Sequence, residues 1–101
     1  MITGNDIFLR SEVPWRNIDG NVIVVRPMDG VLYPLNSVAT RIWLLLDGTS
    51  EVTKIINTLT AEFEGDAEEI REDALLFLEE LEKASLIHSD HSSKAVSQKK
   101  E

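Results

Sequence analysis

The sequence contains two histidines, His88 and His91, with Asp90 between them near the C-terminal end. Imidazoles and a carboxylate at that spacing have metal-ligand chemistry, but a zinc site needs three or four ligands held by folded structure. Two solvated histidines beside a polar tail are the simpler reading, and no metal is expected. There is no cysteine, which removes disulfides, thiolate metal sites and thiol nucleophiles and is compatible with a reducing cytoplasm. No hydroxyl nucleophile has a histidine to activate it within the part of the chain that could fold. The glycines Gly4, Gly20, Gly30, Gly48 and Gly65 stand singly, and none builds a loop that could cradle a phosphate. Carboxylates are plentiful from Glu62 to Glu82, where ten acidic residues accompany one basic residue, Arg71. General acid–base work needs a concave, partly dry site, whereas a run of like charge on a helix reads first as a solvated face. Neither an enzyme nor a cofactor is expected.

The scaffold for these residues is small. A chain of 101 residues makes one domain with a single modest core. The net charge of −8 disfavours nucleic acid, because phosphate affinity comes from clustered Lys and Arg. The longest apolar runs, such as Ile42-Trp43-Leu44-Leu45-Leu46, are far too short to span a bilayer. The start, Met1-Ile2-Thr3-Gly4-Asn5-Asp6, lacks the basic and apolar regions of a signal peptide. A soluble cytoplasmic domain with no membrane contact is expected.

Three regions follow from composition. Residues 1–12 are polar around Ile7, Phe8 and Leu9 and read as a mostly loose arm that docks those three. Residues 13–89 form the folded domain. Residues 90–101 have almost nothing to bury and are expected to be disordered. Within the domain, Val13 to Ile18, Val22 to Val25 and Val31 to Tyr33 are short β-branched stretches separated by Asp19-Gly20 and Asp29-Gly30. Asp-Gly suits two-residue hairpin turns, because glycine accepts the positive φ they need. These stretches predict a three-stranded antiparallel meander. After it the period becomes helical. Asn36 or Ser37 caps a helix with Val38, Ala39, Ile42, Trp43 and Leu46 on one face, ended by Asp47-Gly48. Ser50 caps a second, carrying Val52, Ile55, Ile56, Leu59 and Phe63. Asp66 with Glu69 starts the third and longest. Its buried stripe is Ile70, Ala74, Phe77, Leu78 and Leu81, and Leu86-Ile87 packs back behind it. Three strands followed by three helices make an α+β fold.

Trp43 and Phe77 fall on helical core stripes and read as packing residues, while Trp15 fits either the core or an exposed strand face. Two features suit recognition. Pro14 lacks an N–H and is expected to spoil the first edge of the meander. The opposite edge, Val31-Leu32-Tyr33, has no internal proline and could accept an extended peptide as an added strand. An ordinary short edge, or pairing with a second copy as a homodimer, is equally compatible with this topology. On the third helix, Leu75 and Leu76 fall outside the buried stripe on opposite flanks. They are surplus apolar surface on a helix otherwise covered with Glu.

From Leu35-Asn36 through Ile42-Trp43, Leu46-Asp47-Gly48, Val52, Ile55-Ile56 and Leu59 to Ile70, Asp73-Ala74, Phe77-Leu78, Leu81 and Leu86-Ile87, the sequence resembles the PqqD-like family. The resemblance spans about Trp15 to Ile87. It implies a winged helix-turn-helix-like fold and a non-catalytic role as a recognition element for ribosomally made, post-translationally modified peptides. Such domains bind the leader of a precursor peptide as an extra strand against the third strand, in a cleft closed by the third helix. They present it to a modifying enzyme, such as a radical S-adenosylmethionine enzyme, or to a leader peptidase. Carried onto this chain, the resemblance makes Val31, Leu32, Tyr33, Asp73 and Leu76 the candidate peptide-binding residues, with Leu75 as second choice. The alternatives are a winged-helix DNA-binding regulator, which the acidic third helix disfavours because it would meet phosphates in the major groove, and a subunit that binds only a protein partner.

Overall fold

A computed structural model of the chain describes residues 2–89, so the expected tail and His91 lie outside the described residues. In chain order the elements are β1 (Ile7–Arg10), β2 (Trp15–Ile18), β3 (Asn21–Arg26), β4 (Val31–Pro34), α1 (Ser37–Leu45), β5 (Asp47–Glu51), α2 (Val52–Glu62), α3 (Ala67–Lys83) and β6 (Ile87–Ser89). The predicted meander is present as the sheet β2-β3-β4, and all three predicted helices are present. Asp19 and Gly20 both have positive φ, 53° and 91°, in the two-residue turn between β2 and β3. The second hairpin differs from expectation. Its loop takes four residues, 27–30, closed by a bond from the Gly30 N–H to the Arg26 carbonyl (2.7 Å). Arg26 also spans the loop to Asp29 (2.7 Å), and that contact holds the Asp29 carboxyl below its ordinary range.

The loose arm is the main correction. Ile7–Arg10 is the central strand of a second antiparallel sheet, ordered β5-β1-β6. Phe8 is only 2% exposed and belongs to the core. Burying such a side chain contributes about 1.5–3 kcal/mol, which offsets part of the entropy of ordering the segment, about 1–2 kcal/mol per residue for the backbone. The arm also caps α2. The N–H groups of Val52 and Thr53 donate to the carbonyls of Asp6 (2.9 Å) and Gly4 (3.0 Å), satisfying donors that every helix start leaves unpaired. Ser50 is therefore not the cap. It lies in β5, and the N-cap position, Glu51, makes no side-chain capping bond. Gly48 is likewise a strand residue and not a helix stop: α1 ends at Leu45, and Gly48 (φ 85°) sits so close to β1 that a Cβ would collide with the Leu9 side chain.

The other two helix starts follow the sequence. Asn36 caps α1, its side-chain oxygen accepting from the Ala39 N–H (2.9 Å), and Asp66 caps α3 by accepting from the Glu68 N–H (3.0 Å). Leu86 and Ile87 are buried behind α3, as expected. Trp43 is fully buried. The edge of one indole meets the face of the other at 6.1 Å between Trp43 and Trp15, which settles Trp15 as a partly exposed neighbour of the core. Arg10 lies over both rings and donates to the Trp43 carbonyl (2.9 Å). The Trp43 indole N–H is the one buried side-chain polar atom without a partner among the described residues.

Trp43→Ala should lower stability by about 3 kcal/mol, the low end of the usual 3–5 for a buried aromatic, because it also removes an unpaired buried N–H. Urea denaturation measures this, and an unshifted midpoint would contradict the placement of Trp43 in the core.

Candidate peptide-binding groove

Two helices and one sheet edge define the site. The sheet β2-β3-β4 has two outer edges, and the phase of its ladders decides what each presents. Residues directly opposite in an antiparallel pair alternate between exchanging hydrogen bonds and turning their backbone groups away. Between β3 and β4 the register pairs Val24 with Tyr33 and Val25 with Leu32, and the Leu35 N–H donates to the Val22 carbonyl (2.8 Å). Val31 and Tyr33 therefore bond toward β3, and Leu32 and Pro34 face outward. Leu32 offers a complete donor and acceptor; Pro34 offers a carbonyl alone.

The same reasoning corrects the expected role of Pro14. The Val25 N–H donates to the Pro14 carbonyl (2.9 Å), so the missing donor of Pro14 faces β3. The outer edge of β2 presents Trp15 and Asn17, and its centre carries Arg16. Both edges are thus open among the described residues, and proline does not choose between them.

The groove does. A concavity of about 350 Å³ lies between α1 and α3, within the size range of ligand sites. Asn36, Val38, Ala39 and Ile42 line it from α1, and Ile70, Asp73, Leu76, Phe77 and Glu80 from α3. Asn36 follows β4 by two residues, so the β4 edge leads along the chain into this groove; a smaller concavity of about 240 Å³ lies on the other edge, lined by Trp15, Arg16 and Ile18 of β2 with Pro14, Ile23 and Val25. Val31, Leu32 and Tyr33 do not line the groove themselves. Tyr33 turns inward with Val24, packs on the core and carries Arg26 over its ring (5.6 Å). Leu32 points to the outer face and is 60% exposed.

The structure brings together Asp73 and Leu76 but not Leu75. Leu76 is 62% exposed at the groove, whereas Leu75 is partly buried against the core. Glu80 and Phe77 were absent from the sequence-based set, yet helical spacing places positions 73, 76, 77 and 80 on one face. On the far side of α1, Arg41 forms a two-pronged contact with Glu62 (2.8 and 2.9 Å) that ties α1 to α2 and holds the Glu62 carboxyl below its ordinary range. A further concavity, of about 390 Å³, lies between the β3–β4 loop at Pro27 and Met28 and the end of α3 at Ala84 and Ser85. His88 is exposed on β6, and no group of three or more potential metal ligands occurs among the described residues. No helix among them is long and apolar enough to cross a membrane.

A three-stranded meander leading into three helices, with a groove between two of them, is a winged helix-turn-helix-like arrangement. The family described as Coenzyme PQQ synthesis protein D (PqqD) matches residues 21–87, and the chain belongs to that family. Among solved structures it is similar to TbiB1 in complex with the TbiA(beta) leader peptide, at 27% identity and a TM-score of 0.70, covering 79% of this chain and 94% of that one. No curated protein sequence matches significantly.

The two flanks of α3 should separate on mutation. Leu76→Ser should change stability by no more than about 0.5 kcal/mol, as for exposed positions generally. Leu78→Ala, at a fully buried site, should cost about 2–5 kcal/mol. Thermal melts of the two variants measure the difference; equal losses would show that Leu76 is a core residue.

Proposed function

We propose that this chain is a non-catalytic recognition element. It binds the leader of a ribosomally made precursor peptide by β-strand addition to β4 and presents the precursor to a modifying enzyme or leader peptidase. The observation that carries this reading is the continuity of an unpaired strand edge with an apolar groove. The edge supplies sequence-independent backbone hydrogen bonds, and the groove supplies side-chain selection. Family membership and the similarity to a protein solved with a leader peptide support the same reading.

The division of labour follows from the chemistry. Leu32 aligns the incoming strand by exchanging two backbone bonds with it, and the Pro34 carbonyl accepts a third. Asp73 and Leu76 meet a side chain that descends toward α3. Val31, 41% exposed at the start of β4, covers the end of the paired segment. Leu75 acts only by holding α3 on the core. A modifying enzyme, of the radical S-adenosylmethionine type or another, does the chemistry on the core peptide while the leader stays on this domain.

The test is an NMR titration with the leader of a precursor encoded beside this protein. Micromolar or tighter binding is expected, with shift changes clustered on Val31 to Tyr33, Asp73 and Leu76. Leu76→Ser should weaken binding about tenfold or more, the loss of one buried apolar anchor. Changes confined to α2, or binding indifferent to Leu76, would contradict the binding mode.

A further inference from the structure

We infer that the groove selects leaders in which an apolar anchor is bracketed by lysine or arginine on the same face of the added strand; this rests on the leader-binding reading above. Although α3 is acidic along its length, only Asp73 and Glu80 of its carboxylates line the groove. Both are exposed, and neither has a hydrogen-bond or ion-pair partner for its carboxylate among the described residues. The one cation of α1, Arg41, lies outside the lining and is engaged by Glu62, and Arg71 and Lys83 of α3 lie outside it as well. Between the two acids α3 places Leu76 and Phe77, and Ile70, one turn before Asp73, completes the apolar lining with Ile42 of α1. The site is therefore an apolar slot with two uncompensated negative charges, about two turns apart, along its α3 wall.

The spacing fits a strand. Asp73 and Glu80 are seven residues apart, about 10 Å of helix rise. Residues two before and two after an anchor share its face of a strand and lie about 13 Å apart. Flexible Lys or Arg stems close the small difference while their apolar portions cover the slot's rim. A basic residue on either side of the anchor thus meets one carboxylate, and an acidic residue there is repelled. Rim charges of this kind accelerate encounter and reject wrong partners more than they add affinity, so the apolar anchor remains necessary.

The probe is a displayed random peptide library of about twelve residues, long enough to cover β4 and the groove. It is selected on the full chain, on Asp73→Asn with Glu80→Gln, and on Glu68→Gln with Glu72→Gln. The last variant removes the same charge outside the groove. For the wild type, peptides should share an apolar residue with Lys or Arg two positions away, enriched about fivefold over the library, consistent with two exposed ion pairs. The groove variant should keep the apolar preference and lose the basic one, and the Glu68/Glu72 variant should keep both. An apolar consensus without basic flanks would overturn this inference and leave leader binding standing. A basic preference lost equally in both variants would assign it to overall charge and overturn it as well. No consensus in any selection would overturn the peptide-binding reading itself.

Discussion

The junction between β4 and α1 sets the geometry on which the rest depends. Leu35 is buried there, donating its N–H to the Val22 carbonyl while its own carbonyl accepts from the Asn21 amide (3.0 Å) and the Thr40 hydroxyl. Thr40, the one buried polar residue among those described, accepts in turn from the Val22 N–H (2.9 Å). That N–H sits where the β3–β4 ladder ends, so the helix takes over the bond the strand can no longer supply. A buried donor left unpaired costs about 1–3 kcal/mol, which makes this clasp stiff. One residue later Asn36 caps α1 and lines the groove. The direction of α1, and hence the angle between sheet edge and groove, is fixed by bonds converging on four residues.

Buried and exposed apolar positions are then divided along α3. Ala74, Leu78 and Leu81 face the core, with Ile70, Leu75 and Phe77 packed partly against it. Leu76 is left exposed where it flanks the groove. A helix of 17 residues can leave one large apolar side chain in water because the remaining stripe is sufficient to hold it. Exposure of a leucine alone means little; beside a concavity and an unpaired strand it fits the proposed role in leader binding. The second sheet supports this arrangement from behind. β1 joins the segment after α1 to the segment after α3, so both walls of the groove are tied to one strand.

The meander, the three helices, two of the helix caps and the buried Ala74, Leu78 and Leu81 of α3 were legible in the sequence, because each is written in local periodicity or turn chemistry; Leu75, expected on the surface, packs against the core, and Ile70 and Phe77, expected in the core stripe, line the groove. The second sheet was not. Its partners lie about 40 and 80 residues from β1 in sequence, and β5 reads Asp-Gly-Thr-Ser-Glu, a string with turn and capping preferences that becomes a strand only through pairing. Ser50 and Gly48 were misread for the same reason: their tertiary neighbour, β1, overrides the local signal. Pro14 was misjudged because the hydrogen-bonding phase of a ladder, which decides whether a missing N–H faces inward or outward, is invisible before the register is known. Of the groove lining, Asp73 and Leu76 were named through the resemblance, and the α1 wall was hidden because half-buried groove residues share the periodicity of core residues.

Amide hydrogen exchange at Leu32 tests the central claim most directly. In the free protein this N–H points away from β3 and should exchange quickly, while the Tyr33 N–H, bonded toward β3, is already protected. With a leader added as a strand to β4, exchange at Leu32 should slow by about tenfold or more, equivalent to at least ~1.4 kcal/mol of protection, with Tyr33 little changed. Exchange at Leu32 unaltered by a bound leader, or protection gained instead at Trp15 and Asn17 on the β2 edge, would contradict the account.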